Sequence, residues 1–322
     1  MTPRAREALL RWYRAHRRDL PWRRPERCRD GYAVWVSEVM LQQTRVATVE
    51  GYYRRFLARF PRLADLARAE EAEVLALWSG LGYYRRARQL WQAAGAVVAT
   101  GQRALPTNFE ALLALPGFGP YTAGAVLSIA HQRAYPAVDG NIRRVLSRLA
   151  GQALSGAAAE QANRSWLDAR RPGDSNQALM ELGATVCTPR APRCPQCPLR
   201  RWCRDRGRGG AALTPPRARR RAETVAEGYW LCRRRQGVRL RRRALAEAVM
   251  PGLWELPPRQ RAIAGERYLG VVHHAITYRR IKAAVYAPPA AMPAPSGRWC
   301  EPRERQAMAL TGLTKKILRR FL

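Results

Sequence analysis

Residues Leu115–Val145 read LPGFGPYTAGAVLSIAHQRAYPAVDGNIRRV, and the reading of this stretch decides the fold. Gly117 and Gly119 stand two apart, directly before a helical pattern that opens at Pro120 and Tyr121. Glycines there leave backbone N–H groups bare at a helix N-terminus, an anion site suited to one phosphate of a nucleic-acid strand. The small residues Ala123, Gly124 and Ala125 let that helix pack closely. The pattern reads as a helix-hairpin-helix. Gly-x-Gly alone is better explained by an ordinary turn between two helices. Asp139, some twenty residues on, and a group of cysteines beyond it favour the hairpin reading.

The 322 residues suffice for two or three domains. Against 24 Asp+Glu stand 58 Lys+Arg, a net charge of +34, which points to a polyanionic partner, nucleic acid first. Arginine enrichment from a GC-rich genome contributes as well, because lysine is confined to Lys282, Lys315 and Lys316. No apolar run is long enough for a bilayer span, and the N-terminus lacks the apolar core of a signal peptide. A soluble, cytoplasmic, nucleoid-associated monomer is expected. Seven cysteines, four of them clustered, fit a metal site in a reducing compartment better than a disulfide framework.

Along the chain, residues 3–17 are expected to be helical, with Leu9, Leu10 and Tyr13 on one face, ending at Leu20-Pro21-Trp22-Arg23. Residues 24–30 read as a polar loop and Tyr32–Phe60 as helix. Val34, Glu38 and Leu41 share a helix face there, and a carboxylate on an apolar face is costly unless paired or protonated. Gly80-Leu81-Gly82-Tyr83-Tyr84-Arg85-Arg86 makes a basic, aromatic turn suited to stacking and phosphate contact. Two amphipathic helices follow across 157–186. Then come Cys187-x6-Cys194-x2-Cys197-x5-Cys203, whose four thiols are compatible with zinc or with a [4Fe–4S] cluster. Only one close pair is present, which leans toward iron–sulfur.

Residues 204–223 are rich in Gly, Pro and Arg and read as a linker. Beyond it, Val225–Arg233, Val238–Arg243 and Ile281–Tyr286 look like strands, and a helix carrying Met308, Leu310, Leu313, Ile317 and Leu318 closes the chain. A mainly α half of about 200 residues followed by a smaller α+β half is expected.

These residues resemble the A/G-specific adenine DNA glycosylases, the MutY family, within the helix-hairpin-helix DNA glycosylase superfamily. The resemblance covers nearly the whole chain. It rests on Leu20–Arg23, Ser37–Thr44 (SEVMLQQT), Gly80–Tyr84, Leu115–Ala125, Val138–Asn141, the cysteine loop and Gly252–Pro257. It implies a glycosylase domain over residues 1–203 that includes an iron–sulfur loop, the 204–223 linker, and a Nudix-like recognition domain over 224–322. It implies one [4Fe–4S] cluster on Cys187, Cys194, Cys197 and Cys203, and a duplex DNA substrate containing adenine opposite 8-oxoguanine or guanine.

The chemistry of N-glycosidic cleavage divides as in glycosidases: an acid helps the leaving base and an anion sits near the developing sugar cation. The target base must first leave the stack. By resemblance, Glu38 protonates adenine and then activates water, Asp139 stabilises or transiently captures the sugar cation, Asn141 orients Asp139, and Tyr121 helps hold the transition state. Glu38 on its apolar face is expected to be held protonated, and Asp139 at a helix start to be held ionised. Trp22, Arg23 and Gln177 would line the adenine pocket, Gln43 and Tyr83 would wedge into the duplex, and Gly117 and Gly119 would hold phosphate. The family's Phe-Ser-His loop at the damaged guanine appears here as Ile276-Thr277-Tyr278, where Thr277 keeps the hydroxyl and Tyr278 replaces the histidine. The segment after Gly252 has too few glutamates for a hydrolytic Nudix site, so this half reads as a binding module.

Three alternatives share parts of this pattern. A thymine/G mismatch glycosylase also has tyrosine at the Tyr121 position, but the C-terminal module and Gln42-Gln43 argue for adenine. An endonuclease III-like lyase would carry a lysine where Tyr121 stands. A non-catalytic iron–sulfur DNA-binding protein would have no need to keep both Glu38 and Asp139 in their motifs.

Overall fold

The computed structural model describes residues 2–206, 213, 221–276 and 278–322. Thr277 and most of the linker, residues 207–212 and 214–220, lie outside the described residues. The chain forms two units: Met1–Arg68 with Gln89–Arg217, and Ala69–Arg88 with Ala218–Leu322.

The helices, in chain order, are α1 (Pro3–His16), α2 (Pro25–Cys28), α3 (Gly31–Leu41), α4 (Val46–Arg59), α5 (Leu63–Ala67), α6 (Glu71–Trp78), α7 (Arg85–Ala99), α8 (Phe109–Leu113), α9 (Pro120–Ile129), α10 (Gly140–Ala150), α11 (Gly156–Arg164) and α12 (Pro172–Thr185). Several begin on recognisable local signals. Proline stands at the start of α1, α2, α9 and α12, where a missing N–H costs nothing. Asp30, Asn108 and Asp139 accept backbone N–H bonds at the starts of α3, α8 and α10. Leu9, Leu10 and Tyr13 of α1 pack with Val145 and Leu146 of α10 and Leu179 and Leu182 of α12 in one apolar core. Each such buried leucine stabilises the fold by about 2 kcal/mol.

Three expectations are corrected here. The polar stretch 24–30 contains the short helix α2, started by Pro25. The Tyr32–Phe60 pattern is two helices, broken after Leu41 at a turn where Gln43 takes a left-handed φ of 57°. The expected apolar face of α3 is also too narrow a description, since Tyr32 through Met40 are all buried.

In the second unit β1 (Glu223–Trp230), β2 (Arg233–Arg234), β3 (Gly237–Arg242), β4 (Trp254–Glu255), β5 (Arg267–Ile276), β6 (Arg279–Ala287) and β7 (Arg298–Cys300) precede α13 (Pro302–Ala307) and α14 (Gly312–Phe321). β6 lies between β1, to which it is parallel, and β5, to which it is antiparallel. β3 pairs with β2, β4 and β7. Leu313, Ile317 and Leu318 of α14 share a core with Val272, Ile281, Ala283 and Val285. Thr311 caps α14 by accepting from the Thr314 N–H. The three expected strands are present with shifted ends, whereas β5, over Arg267–Ile276, was not anticipated.

Residues 69–88 pack with this unit. The Ser79 hydroxyl donates to the Leu310 carbonyl at 2.7 Å, Lys315 donates to the Ser79 carbonyl at 3.1 Å, and Arg88 donates to the Pro251 carbonyl. Their excursion out of the helical unit has no counterpart in a linear division of the sequence. Among the described residues no helix is long and apolar enough to cross a membrane.

Candidate active site

A cavity of about 600 Å3 opens in the first unit, lined by residues from α3, the turn after it, the start of α9, the start of α10, and α12. Its walls include Glu38, Tyr121, Asp139, Asn141, Trp22, Arg23, Gln177 and Gln43. These are the four expected catalytic residues, the three expected pocket residues and one of the two expected wedges. A close approach behind the wall sets α9 in place. A Cβ on Gly124 would lie 1.9 Å from the Pro136 carbonyl oxygen, so only glycine fits where the chain before Asp139 crosses α9.

Glu38 is 6 % exposed on α3 and accepts a hydrogen bond from the Tyr121 phenol. Burial pushes its carboxyl up to about 7, with the nearby Asp139 adding to the rise, while the Tyr121 bond and Arg23 act against it. Neutral water therefore finds this carboxyl about half protonated. Tyr121 is itself held far toward its neutral form by burial and by the two carboxylates.

Asp139 is the N-cap of α10. Its Oδ1 accepts from the Ile142 N–H at 2.7 Å and its Oδ2 from the Asn141 amide at 2.8 Å. The expectation that the helix start lowers its proton affinity is overturned in direction. Burial raises the Asp139 carboxyl above its usual range, and the bonds from Ile142 and Asn141, with Arg144, only partly offset it. Desolvation by burial outweighs a helix terminus whose favourable effect is about 1 kcal/mol. The two carboxyls are thus displaced in the same direction. They differ in their partners: one phenol on Glu38, and an amide plus a backbone N–H on Asp139.

Asn141 is fixed in turn. Arg144 donates to its Oδ1 at 2.9 Å, to the Gly183 carbonyl at 2.7 Å and to the Cys187 carbonyl at 2.9 Å. Arg23 is held similarly, donating to Glu181 at 2.8 Å and to the Arg18 carbonyl at 3.2 Å. Arg18 donates twice to the same carboxylate, at 2.7 and 2.9 Å. Burial works against the Glu181 charge, yet the bonds from Arg18 and Arg23 prevail and hold its carboxyl down at about 2.

The comparisons with known proteins bear on this geometry. Residues 36–167 match the family described as HhH-GPD superfamily base excision DNA repair protein. The adenine DNA glycosylase of Mus musculus is 48% identical over 211 residues, 62% of this chain and 41% of that protein. That of Mycolicibacterium smegmatis is 45% identical over 220 residues, 65% of this chain and 72% of that protein. The chain belongs to the adenine DNA glycosylase family. It spans only about two fifths of the length of the mammalian relatives it matches. A thermostable thymine-DNA glycosylase structure is similar with a TM-score of 0.58 and 29% identity, over 63% of this chain and 95% of that one.

In this adenine DNA glycosylase family member the hairpin glycines do not line the cavity. Gly117 has a φ of 77° in the turn between α8 and α9, and a Cβ there would lie 2.7 Å from the Gln89 Cβ. Gly119 is the N-cap of α9 and has no side chain to occupy the first-turn amides. Tyr83 belongs to the second unit, 47% exposed, with Arg86 against its ring at 5.3 Å. Tyr278, 36% exposed, lies in the β5–β6 turn; its neighbour Thr277 is outside the described residues.

Sequence reasoning missed Arg18 and Glu181, which form the cavity wall behind Arg23. The signal existed: Glu181 stands in the apolar run Ala178-Leu179-Met180-Glu181-Leu182, the same anomaly that marks Glu38. Cys187, Cys194, Cys197 and Cys203 line one small cavity of the first unit, and none forms a disulfide. Arg148 reaches the Cys187 sulfur at 3.2 Å. Among the described residues no three His, Cys, Asp or Glu side chains are grouped so as to hold a single metal ion. Four thiols lining one space are a donor set that fits zinc and an iron–sulfur cluster alike.

Proposed function

We propose that the chain hydrolyses the N-glycosidic bond of adenine mispaired with 8-oxoguanine or guanine in duplex DNA. The observation that carries this reading is Glu38, a buried carboxyl held near neutral pH and bonded to Tyr121, in one cavity with Asp139. A base flipped into that cavity meets a proton donor whose strength matches the working pH. Departure of the base leaves positive charge on the sugar. Asp139, with Asn141 and the Ile142 N–H fixing its two oxygens, supplies an oriented counter-charge. Glu38, once deprotonated, can accept a proton from the attacking water. Trp22, Arg23 and Gln177 shape the adenine pocket, Gln43 and Tyr83 enter the stack, and Gly117 and Gly119 hold phosphate.

Base removal proceeds without efficient strand cutting, the Met1 amine being the one amine of the catalytic half. A β-lyase needs an amine to attack the sugar, and no lysine precedes Lys282. The four cysteines would hold one [4Fe–4S] cluster, which when bound would tie the 187–203 loop into a fixed form. Residues 1–203 are the glycosylase domain, apart from the excursion of 69–88, and 204–223 the linker. Residues 224–322 form a Nudix-like module that reads the base opposite adenine through Thr277 and Tyr278. The protein acts as a monomer on nucleoid DNA in the cytoplasm.

Single-turnover excision by Glu38→Gln tests the central assignment. The amide fills the same space but cannot deliver the proton, so excision is expected to vanish while duplex binding persists. Near-normal excision by the variant would remove Glu38 from the role of acid.

A further inference from the structure

The outer face of the β5–β6–β1 sheet has chemistry that the cavity does not use. Residues opposite one another across the strands share a face. Tyr268, Tyr286 and Trp230 are such a row, with ring centroids 5.4 Å apart between Tyr268 and Tyr286 and 6.2 Å between Tyr286 and Trp230. Arg259 lies over Tyr286 at 4.1 Å and is anchored by Glu266, so the inner part of the row is rigid and filled. Tyr268, at the β5 end, is 56% exposed. Farther along the same face come His273 and Lys282, directly opposite each other, and then Arg280, all exposed. Between these groups the face carries Gly228, Ala284 and Val271, with Ala226 and Ala275 beside the cations, so it is low, and its strand positions include no carboxylate. Tyr286 and Arg280 are six positions apart, about 20 Å of strand.

A cross-strand aromatic row can serve sheet stability alone, but that role does not call for an open tyrosine ring in line with an unopposed cationic track. We propose that this sheet face is a binding track for an unpaired nucleic-acid strand, one base stacking on Tyr268 and phosphates lying against Lys282 and Arg280. Aromatic and cationic groups on a flat surface are the two elements that bind single strands without reading sequence. The track also runs into the β5–β6 turn that carries Tyr278. It does not depend on adenine excision.

The test is fluorescence anisotropy of the full chain with an oligothymidylate of about twelve nucleotides, which offers the cavity no adenine. Tyr268→Ala should weaken binding by about tenfold and Tyr268→Phe should restore it. The double variant Arg280→Ala, Lys282→Ala should lower the log–log salt slope by about 1.4, two phosphates' worth for a single strand. The double variant Arg233→Ala, Arg234→Ala removes the same charge from exposed β2 and should leave binding near that of the parent. Equal losses in the two double variants would mean that net charge, not this track, is responsible. Unchanged binding in Tyr268→Ala would also overturn the proposal, and a change in sedimenting mass of these variants would then assign the face to a second copy of the chain.

Discussion

Replacing Glu38 with glutamine is expected to stabilise the protein, and to do so only above acid pH. The Glu38 carboxyl has a folded value of about 7 against an ordinary 4.5. Between these two values the folded chain takes up a proton that the unfolded chain has released. Stability therefore falls as pH rises through this interval, because the unfolded state binds fewer protons. Integrated across the interval, the loss is about 3 kcal/mol, and it is complete above pH 7. The amide of the variant stays neutral, still accepts from Tyr121, and carries no repulsion toward Asp139. Urea unfolding followed by tryptophan fluorescence, at about pH 5 and about pH 8, measures the effect. Other titrating groups contribute to both proteins, so the gap between parent and variant isolates Glu38. That gap should be small at the lower pH and approach about 3 kcal/mol at the higher. A gap that does not widen with pH would show that Glu38 ionises as an ordinary carboxylate and would undercut its role as acid at neutral pH.

Three further outcomes are expected. Glu181→Ala should destabilise the first unit by about 3 kcal/mol, since it strands Arg18 and Arg23 beside the cavity, and should raise the KM for excision; urea unfolding and steady-state kinetics check both. Purified protein should be brown and hold about four irons, and Cys197→Ser should lose the colour; iron analysis of anaerobically prepared protein decides this, with stoichiometric zinc as the contrary result. Borohydride treatment during reaction with an A:8-oxoguanine duplex should yield little covalent adduct, leaving abasic product that is cut only after alkali; trapping as fast as adenine release would establish a lyase amine.

Glu38 could be found without a structure because a carboxylate inside Val34-Trp35-Val36-Ser37-Glu38-Val39-Met40 has no cheap explanation. Asp139 and Asn141 were readable as a helix start, and Tyr121 as the residue after the hairpin proline. The hidden parts depend on distance along the chain. Nothing local to Arg18 announces a partner more than 160 positions away. The break between α3 and α4 falls at Gln42-Gln43-Thr44, with neither glycine nor proline to mark it. The direction of the Asp139 shift was misread because helix-end chemistry is visible in sequence, whereas the extent of desolvation is a property of the folded cavity. The grouping of residues 69–88 with the second unit likewise rests on bonds such as Ser79 to Leu310, which no spacing reveals.

Asp139 begins a helix and faces the reaction cavity with the same carboxylate. Truncation at this position is therefore not purely chemical: alanine would take away the anion and, with it, about 1 kcal/mol of cap. Asparagine caps as well as aspartate does, so Asp139→Asn deletes charge while sparing the helix start. The alanine variant is expected at lower cellular abundance than the parent, and the asparagine variant at the parent's abundance but without the cavity charge. The choice of replacement at this one position decides whether the fold and the cavity charge are lost together or the charge alone.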